Sequence, residues 1–198
     1  MENRRIQIKS TEILSDNWYT LKKIDFNYQL DDGTWQNQKR ESYDRGNGAA
    51  VLLYNETEKK VILTNQFRMP TYLNGNPDGM MIEVCAGLLD ELDPEACIIK
   101  EIEEETGYRV PKVTKVFEAY MSPGAVTEIL HFFVAEYNKS MKITEGGGNP
   151  EETENIEVLE IGFSEALTYI SEGKIKDAKT IMLFQYAQLQ LALEGNEN

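Results

Sequence analysis

Residues 87–108 read GLLDELDPEACIIKEIEEETGY. Asp93-Pro94-Glu95 has the chemistry of a helix start: an aspartate able to cap free N–H groups, proline at the first helical position, and an acid in the first turn. Ala96, Ile98, Ile99 and Ile102 supply an apolar face, and Thr106-Gly107 ends the helix with glycine past its last turn. Within this helix Glu101, Glu104 and Glu105 stand at i, i+3 and i+4, which places three carboxylates on one face. Like charges so spaced destabilise a helix unless something neutralises them, and a hard divalent cation such as Mg²⁺, which takes oxygen ligands, is the natural counterion. Carboxylates alone read first as a solvated surface. The flanking glycines and the rest of the chain decide between the two.

Working outward, Ile82 to Ala86 reads as a short strand ending at Gly87, and residues 70–80 (PTYLNGNPDGM) as a loop. Ala49–Tyr54 and Val61–Gln66 read as strands, set off from the N-terminus by the Gly46-Asn47-Gly48 break. Residues 5–45 are rich in strand-forming residues: Ile6 and Ile8 alternate with polar neighbours, Trp18–Leu30 is rich in aromatic and β-branched residues, Asp31-Asp32-Gly33 is a hairpin turn signal, and Trp35–Tyr43 reads as the return strand. Downstream come strands at Val113–Tyr120, Ile129–Glu136 and Ile156–Ile161, an acidic glycine-rich loop at 145–155, and helices at Phe163–Gly173 and Asp177–Leu193. The order is mixed α/β (α+β), with helices dispersed among mostly antiparallel strands.

The chain has 198 residues and a formal net charge of −14. The length fits one globular domain with a small appended subdomain, and the charge repels nucleic-acid backbones and anionic membranes. An acidic protein still acts on an anionic substrate where metal ions and a few local cations reverse the sign inside the site. Cys85 and Cys97 match no zinc or redox spacing and read as reduced, buried thiols. No apolar run approaches the roughly 20 residues of a membrane span, and MENRRIQIKS lacks the apolar core of a signal peptide, so the expectation is a cytoplasmic protein with no nucleic-acid or membrane partner.

The segment Lys100-Glu101-Ile102-Glu103-Glu104-Glu105-Thr106-Gly107-Tyr108 resembles the second half of the Nudix box, with Lys100 in place of arginine. In the first half Asp93 stands for glutamate, one residue closer than usual. The resemblance extends over nearly the whole chain, through Ile13-Leu14-Ser15-Asp16-Asn17, Lys39-Arg40-Glu41, Tyr43-Asp44-Arg45-Gly46-Asn47-Gly48, Gln66-Phe67-Arg68, Cys85-Ala86-Gly87-Leu88-Leu89-Asp90, Tyr120-Met121-Ser122-Pro123-Gly124, Thr127-Glu128, Ile156-Glu157-Val158-Leu159-Glu160 and Lys179-Thr180. It is similar to the GDP-mannose pyrophosphatase branch of the Nudix superfamily, which shares the shortened box. The resemblance implies a Nudix α/β/α sandwich with a mixed sheet at residues 46–198. Before it comes an N-terminal β-rich region, 1–45, that helps form a homodimer and reaches the partner's site.

By the same resemblance the activity is Mg²⁺-dependent (or Mn²⁺-dependent) hydrolysis of a nucleoside diphosphate sugar, GDP-mannose to GMP and mannose 1-phosphate. The alternatives are ADP-ribose hydrolysis and a non-catalytic ligand sensor, against which the intact acidic face argues. The resemblance gives the metal to the carbonyl of Ala86 and the carboxylates of Glu101 and Glu105, with Glu104 beside them. It adds an acid from the 145–155 loop, Glu154, with Glu151 and Glu152 as alternatives. Substrate contacts fall to Trp18 (stacking on the nucleobase), Lys39, Arg40, Glu41, Arg68, Ala86, Gly87, Leu88, Glu128, Thr153 and Lys179. His131, the only histidine, sits in an apolar strand pattern and reads as structural.

Overall fold

The computed structural model describes residues 5–89, 91–149, 153–191 and 193. Its chain divides into two compact units, Met1–Asn47 with Tyr120–Ile129, and Gly48–Ala119 with Leu130–Asn198.

The first unit is an antiparallel three-stranded sheet of β1 (Ile6–Asp16), β2 (Thr20–Gln29) and β3 (Trp35–Asp44). The Asp31-Asp32-Gly33 turn forms as its sequence demands: Gly33 takes φ 86° and the Asp32 carboxylate accepts from the Thr34 N–H. The β2 strand starts two residues later than the run of aromatic residues suggests, so Trp18 lies in the β1–β2 turn and is 82% exposed. Residues 120–129 join this unit. Tyr43 N–H donates to Ala125 O (2.7 Å) and Thr127 N–H to Tyr43 O (3.0 Å).

The second unit is built on a mixed sheet in the order β10-β5-β4-β9-β8: Glu157–Gly162, Lys60–Phe67, Gly48–Asn55, Ile129–Glu136 and Thr114–Tyr120. The β4–β9 pair is parallel and the others with described register are antiparallel. The expected strand at 82–86 is two strands: β6 (Met80–Glu83) pairs with β5, and β7 (Cys85–Leu88) pairs with β4. The chain changes partner at Val84, whose N–H donates to Thr180 Oγ1 at 2.8 Å. Ala49, Val51 and Leu53 on one face of β4 form a core with Ile98 and Ile102. By strand alternation Ala50 and Leu52 face the other way; both are fully buried, and α4 (Ala178–Gln190) packs on the same strand. This is the helix–sheet–helix layering expected of the mixed α/β pattern.

Two helical expectations need correction. Residues 70–80 are not wholly loop, because Met69–Leu73 make a short helix, α1, with proline in its first turn. The acidic helix is α2 (Pro94–Glu101) only as far as Glu101, and Ile102–Thr106 widen into a π-type turn. Its start behaves as read: Asp93 caps the N–H groups of Glu95 and Ala96 at 3.1 and 3.2 Å. Helix α3 spans Phe163–Ser171.

Candidate active site

The acid helix and strand β7 bring together three of the expected metal residues, Ala86, Glu101 and Glu105. Glu105 is 1% exposed, and its Oε2 accepts from the Ala86 N–H at 3.2 Å. The Glu101 carboxylate lies so close over Gly87 that a Cβ there would meet its Cδ and Oε1 at 2.3 Å. A side chain at Gly87 would therefore have to displace the Glu101 carboxylate. Burial pushes the Glu105 carboxyl up to about 8 against a hydrogen bond from the Cys85 thiol that favours the charged form, and the charges of Glu101 and Glu154 push it the same way as burial. Burial likewise pushes the Cys85 thiol well up, so it remains an S–H donor.

The other acids of the run point elsewhere. Glu103 makes a two-pronged pair with Arg109 (2.8 and 2.9 Å), and Glu104 pairs with Lys100 at 2.8 Å. Glu154, in the loop before β10, accepts from the Asn149 N–H at 2.9 Å. Glu151 and Glu152 lie outside the described residues. Among the described residues no three Asp, Glu, His or Cys side chains converge on one point. What converges is the pair Glu101 and Glu105 with the backbone of Ala86 and Gly87. Two crowded carboxylates against a half-buried strand backbone offer oxygen donors, which fit a hard divalent cation.

Arg68 and Lys179 meet on a residue that sequence reasoning missed. Glu83, 4% exposed, accepts from Arg68 Nε and Nη2 (3.0 and 2.7 Å) through Oε2, and Lys179 Nζ stands 3.2 Å from Oε1. Lys179 also pairs with Asp177 (3.1 Å), the residue that caps α4. The signal was present: a lone acid within the apolar run Met80-Met81-Ile82-Glu83-Val84-Cys85 must find cations if the strand is buried. Leu88 accepts from the Cys97 thiol through its carbonyl, and Thr153 takes φ 59° just before Glu154. Cys85 and Cys97 are both buried and not joined in a disulfide. His131 faces Glu118 across the β8–β9 pair, with Nδ1 3.2 Å from Oε2.

The remaining expected substrate residues belong to the first unit. Lys39 stands 3.8 Å from Asp25, Arg40 donates to the Lys39 carbonyl, and Glu41 is exposed on β3. Glu128 is largely buried, 3.5 Å from Arg45, whose guanidinium lies over the Tyr19 ring.

Comparison with known proteins decides the family. A NUDIX domain model matches residues 44–183. The chain belongs to the Nudix family. A second model, the N-terminal domain of the GDP-mannose pyrophosphatase NudK, matches residues 5–43. Among Nudix relatives, a GDP-mannose pyrophosphatase of Yersinia enterocolitica is 58% identical over 185 residues, covering 93% of this chain and 96% of that one. One from Cronobacter sakazakii is 55% identical with the same coverage. The crystal structure of an ADP compounds hydrolase superposes with a TM-score of 0.69 over 96% of this chain and 98% of that one; at 16% identity it speaks for the Nudix fold alone. Among the described residues no helix is long and apolar enough to cross a membrane.

Proposed function

We propose that this Nudix chain hydrolyses the pyrophosphate bond of GDP-mannose, giving GMP and mannose 1-phosphate. The observation that carries the reading is the meeting of Glu101 and Glu105 with the Ala86–Gly87 backbone, in a chain more than half identical to proteins named for that reaction. Glu101, Glu105, the Ala86 carbonyl and Glu154 would hold Mg²⁺ or Mn²⁺. When bound, such an ion neutralises phosphate charge and lowers the pKa of an attacking water. Glu154 would help activate that water, by taking its proton or by binding metal, and Glu104 would lie beside the metal ligands. Arg68, held at one edge by Glu83, presents its other edge to the diphosphate, and Lys179 adds a point charge. Gly87, Leu88 and Thr153 line the diphosphate path with backbone groups.

The acting unit in this reading is a homodimer. Residues 1–45 are its dimerisation region and 46–198 its hydrolase domain. Trp18 of one protomer stacks on the nucleobase held by the other, Lys39 and Arg40 add positive charge at the diphosphate, and Glu41 and Glu128 accept from sugar hydroxyls or base N–H groups. The setting is the cytoplasm, where reduced thiols such as Cys85 and Cys97 persist. A panel of nucleotide sugars, assayed with Mg²⁺ by phosphate release after phosphatase treatment, tests the reading. GDP-mannose should exceed ADP-ribose by about tenfold or more in kcat/KM. A preference for ADP-ribose reverses the substrate assignment, and tight binding without turnover of any nucleotide sugar makes the protein a sensor.

A further inference from the structure

We propose that Gly146, Gly147 and Gly148 form a rigid clip on the end of the acidic helix, and that Gly148 is the positioning residue for Glu154. The inference rests on the reading of Glu154 as the acid that handles the attacking water. In sequence three consecutive glycines suggest a flexible hinge. In the structure they are bonded to the helix. The N–H of Gly147 donates to the Glu105 carbonyl at 2.9 Å and that of Gly148 to the Glu104 carbonyl at 3.1 Å, so two carbonyls at the helix end find partners. Gly147 is held from the other side as well, its carbonyl accepting from the Ile156 N–H at 3.1 Å.

The contact is backbone on backbone. A Cβ at Gly146 would lie 2.4 Å from the Glu105 carbonyl oxygen, and one at Gly107 would lie 2.2 Å from that of Thr144. All three clip glycines have positive φ (70°, 113° and 82°), a conformation that side-chain-bearing residues rarely adopt. At Gly148 the missing side chain serves a different purpose. A Cβ there would stand 2.6 Å from Glu154 Oε2 and 2.8 Å from Glu154 Cβ. The carboxylate end could swing aside, but the Cβ is fixed to the backbone and could not. Glu154 thus occupies the space that Gly148 leaves, and the next amide, Asn149 N–H, holds its Oε2 at 2.9 Å. The clip ties the loop that carries this acid to the helix that carries Glu101 and Glu105.

The test is a double-mutant cycle on the full chain, with GDP-mannose and saturating Mg²⁺. Glu154→Gln should lower kcat by about 10²–10⁴-fold. Gly148→Ala should lower it within the same range, with KM held within about threefold. Because one acts through the other, the double variant should be no more than about threefold worse than the poorer single one. Gly173→Ala is the control for strain: its φ is 72°, and its Cβ would meet only Lys176 Cε at 3.5 Å. It should keep kcat within about twofold. A Gly148→Ala protein with near-normal kcat, or a double variant showing the full product of the two losses, overturns the positioning role and leaves the role of Glu154 standing. A fully active Glu154→Gln removes both. A readout independent of the variants is amide hydrogen exchange in the unmodified protein. Gly147 and Gly148 should be protected although they lie in a loop, and exchange at the rate of an open chain would overturn the clip whatever the variants do.

Discussion

At the scale of single residues, Glu105 is a buried carboxyl crowded by other acids. Its carboxyl is pushed from 4.5 up to about 8, by burial first and by neighbouring acids as well. Below 4.5 folded and unfolded chains both carry this proton, and above about 8 neither does. Between the two the folded chain holds a proton that the unfolded chain has lost, so metal-free protein should lose stability as pH rises through that window. Thermal melts without metal should therefore fall with pH more steeply for the unmodified protein than for Glu105→Gln, and added Mg²⁺ should flatten the difference by taking the place of the proton. Parallel slopes for the two proteins would show the carboxyl to be ordinary. The same substitution should cost at least about a hundredfold in turnover while the fold survives. Helical spacing put Glu101 and Glu105 on one face, and the resemblance to the Nudix box singled them out. The same spacing placed Glu104 with them, whereas the structure pairs Glu104 with Lys100, because an exposed cation one turn away competes for any acid at the rim of the site. Glu83 escaped notice because a lone acid declares its importance only when its strand is known to be buried.

At the scale of elements, the helix start could be read from Asp93-Pro94-Glu95 and its end from Gly107. The widening at Ile102–Thr106 could not, since a π-type turn has no local signature and arises where packing draws particular residues inward, often at functional sites. Here it buries Glu105 and Thr106 together. The neighbouring strand imposes a matching constraint at Gly87, which meets Ala49 across the β4–β7 ladder. Gly87→Ala should push the Glu101 carboxylate off its seat and weaken Mn²⁺ binding by about 10–100-fold, measured directly by paramagnetic resonance titration. Unchanged affinity would mean that Glu101 reaches the ion from another direction. The glycine triplet is the clearest case of misleading sequence. Composition implied mobility, and the geometry is that of close docking.

At the scale of the whole molecule, the class of fold followed from the alternation of helices and strands, but the strand order β10-β5-β4-β9-β8 did not, because pairing between distant strands is set by packing that no local pattern encodes. The partner switch at Val84 is of this kind. The proposed dimer makes its own prediction. Trp18→Ala should raise KM for GDP-mannose more than it lowers kcat, since stacking holds ground and transition states alike. Sedimentation at assay concentration should show a dimer, and a fully active monomer would contradict the assignment of residues 1–45.

The first unit closes on residues that the ribosome makes much later. Asn47 Oδ1 receives the Ile129 N–H across a separation of 82 residues, and Tyr43 waits for Ala125 and Thr127. At ordinary rates of protein synthesis that stretch takes roughly 4–16 s to emerge. During this time the backbone groups of Tyr43 and the Asn47 side chain lack the partners that the finished unit gives them. The part of the chain translated first is thus among the last to be finished.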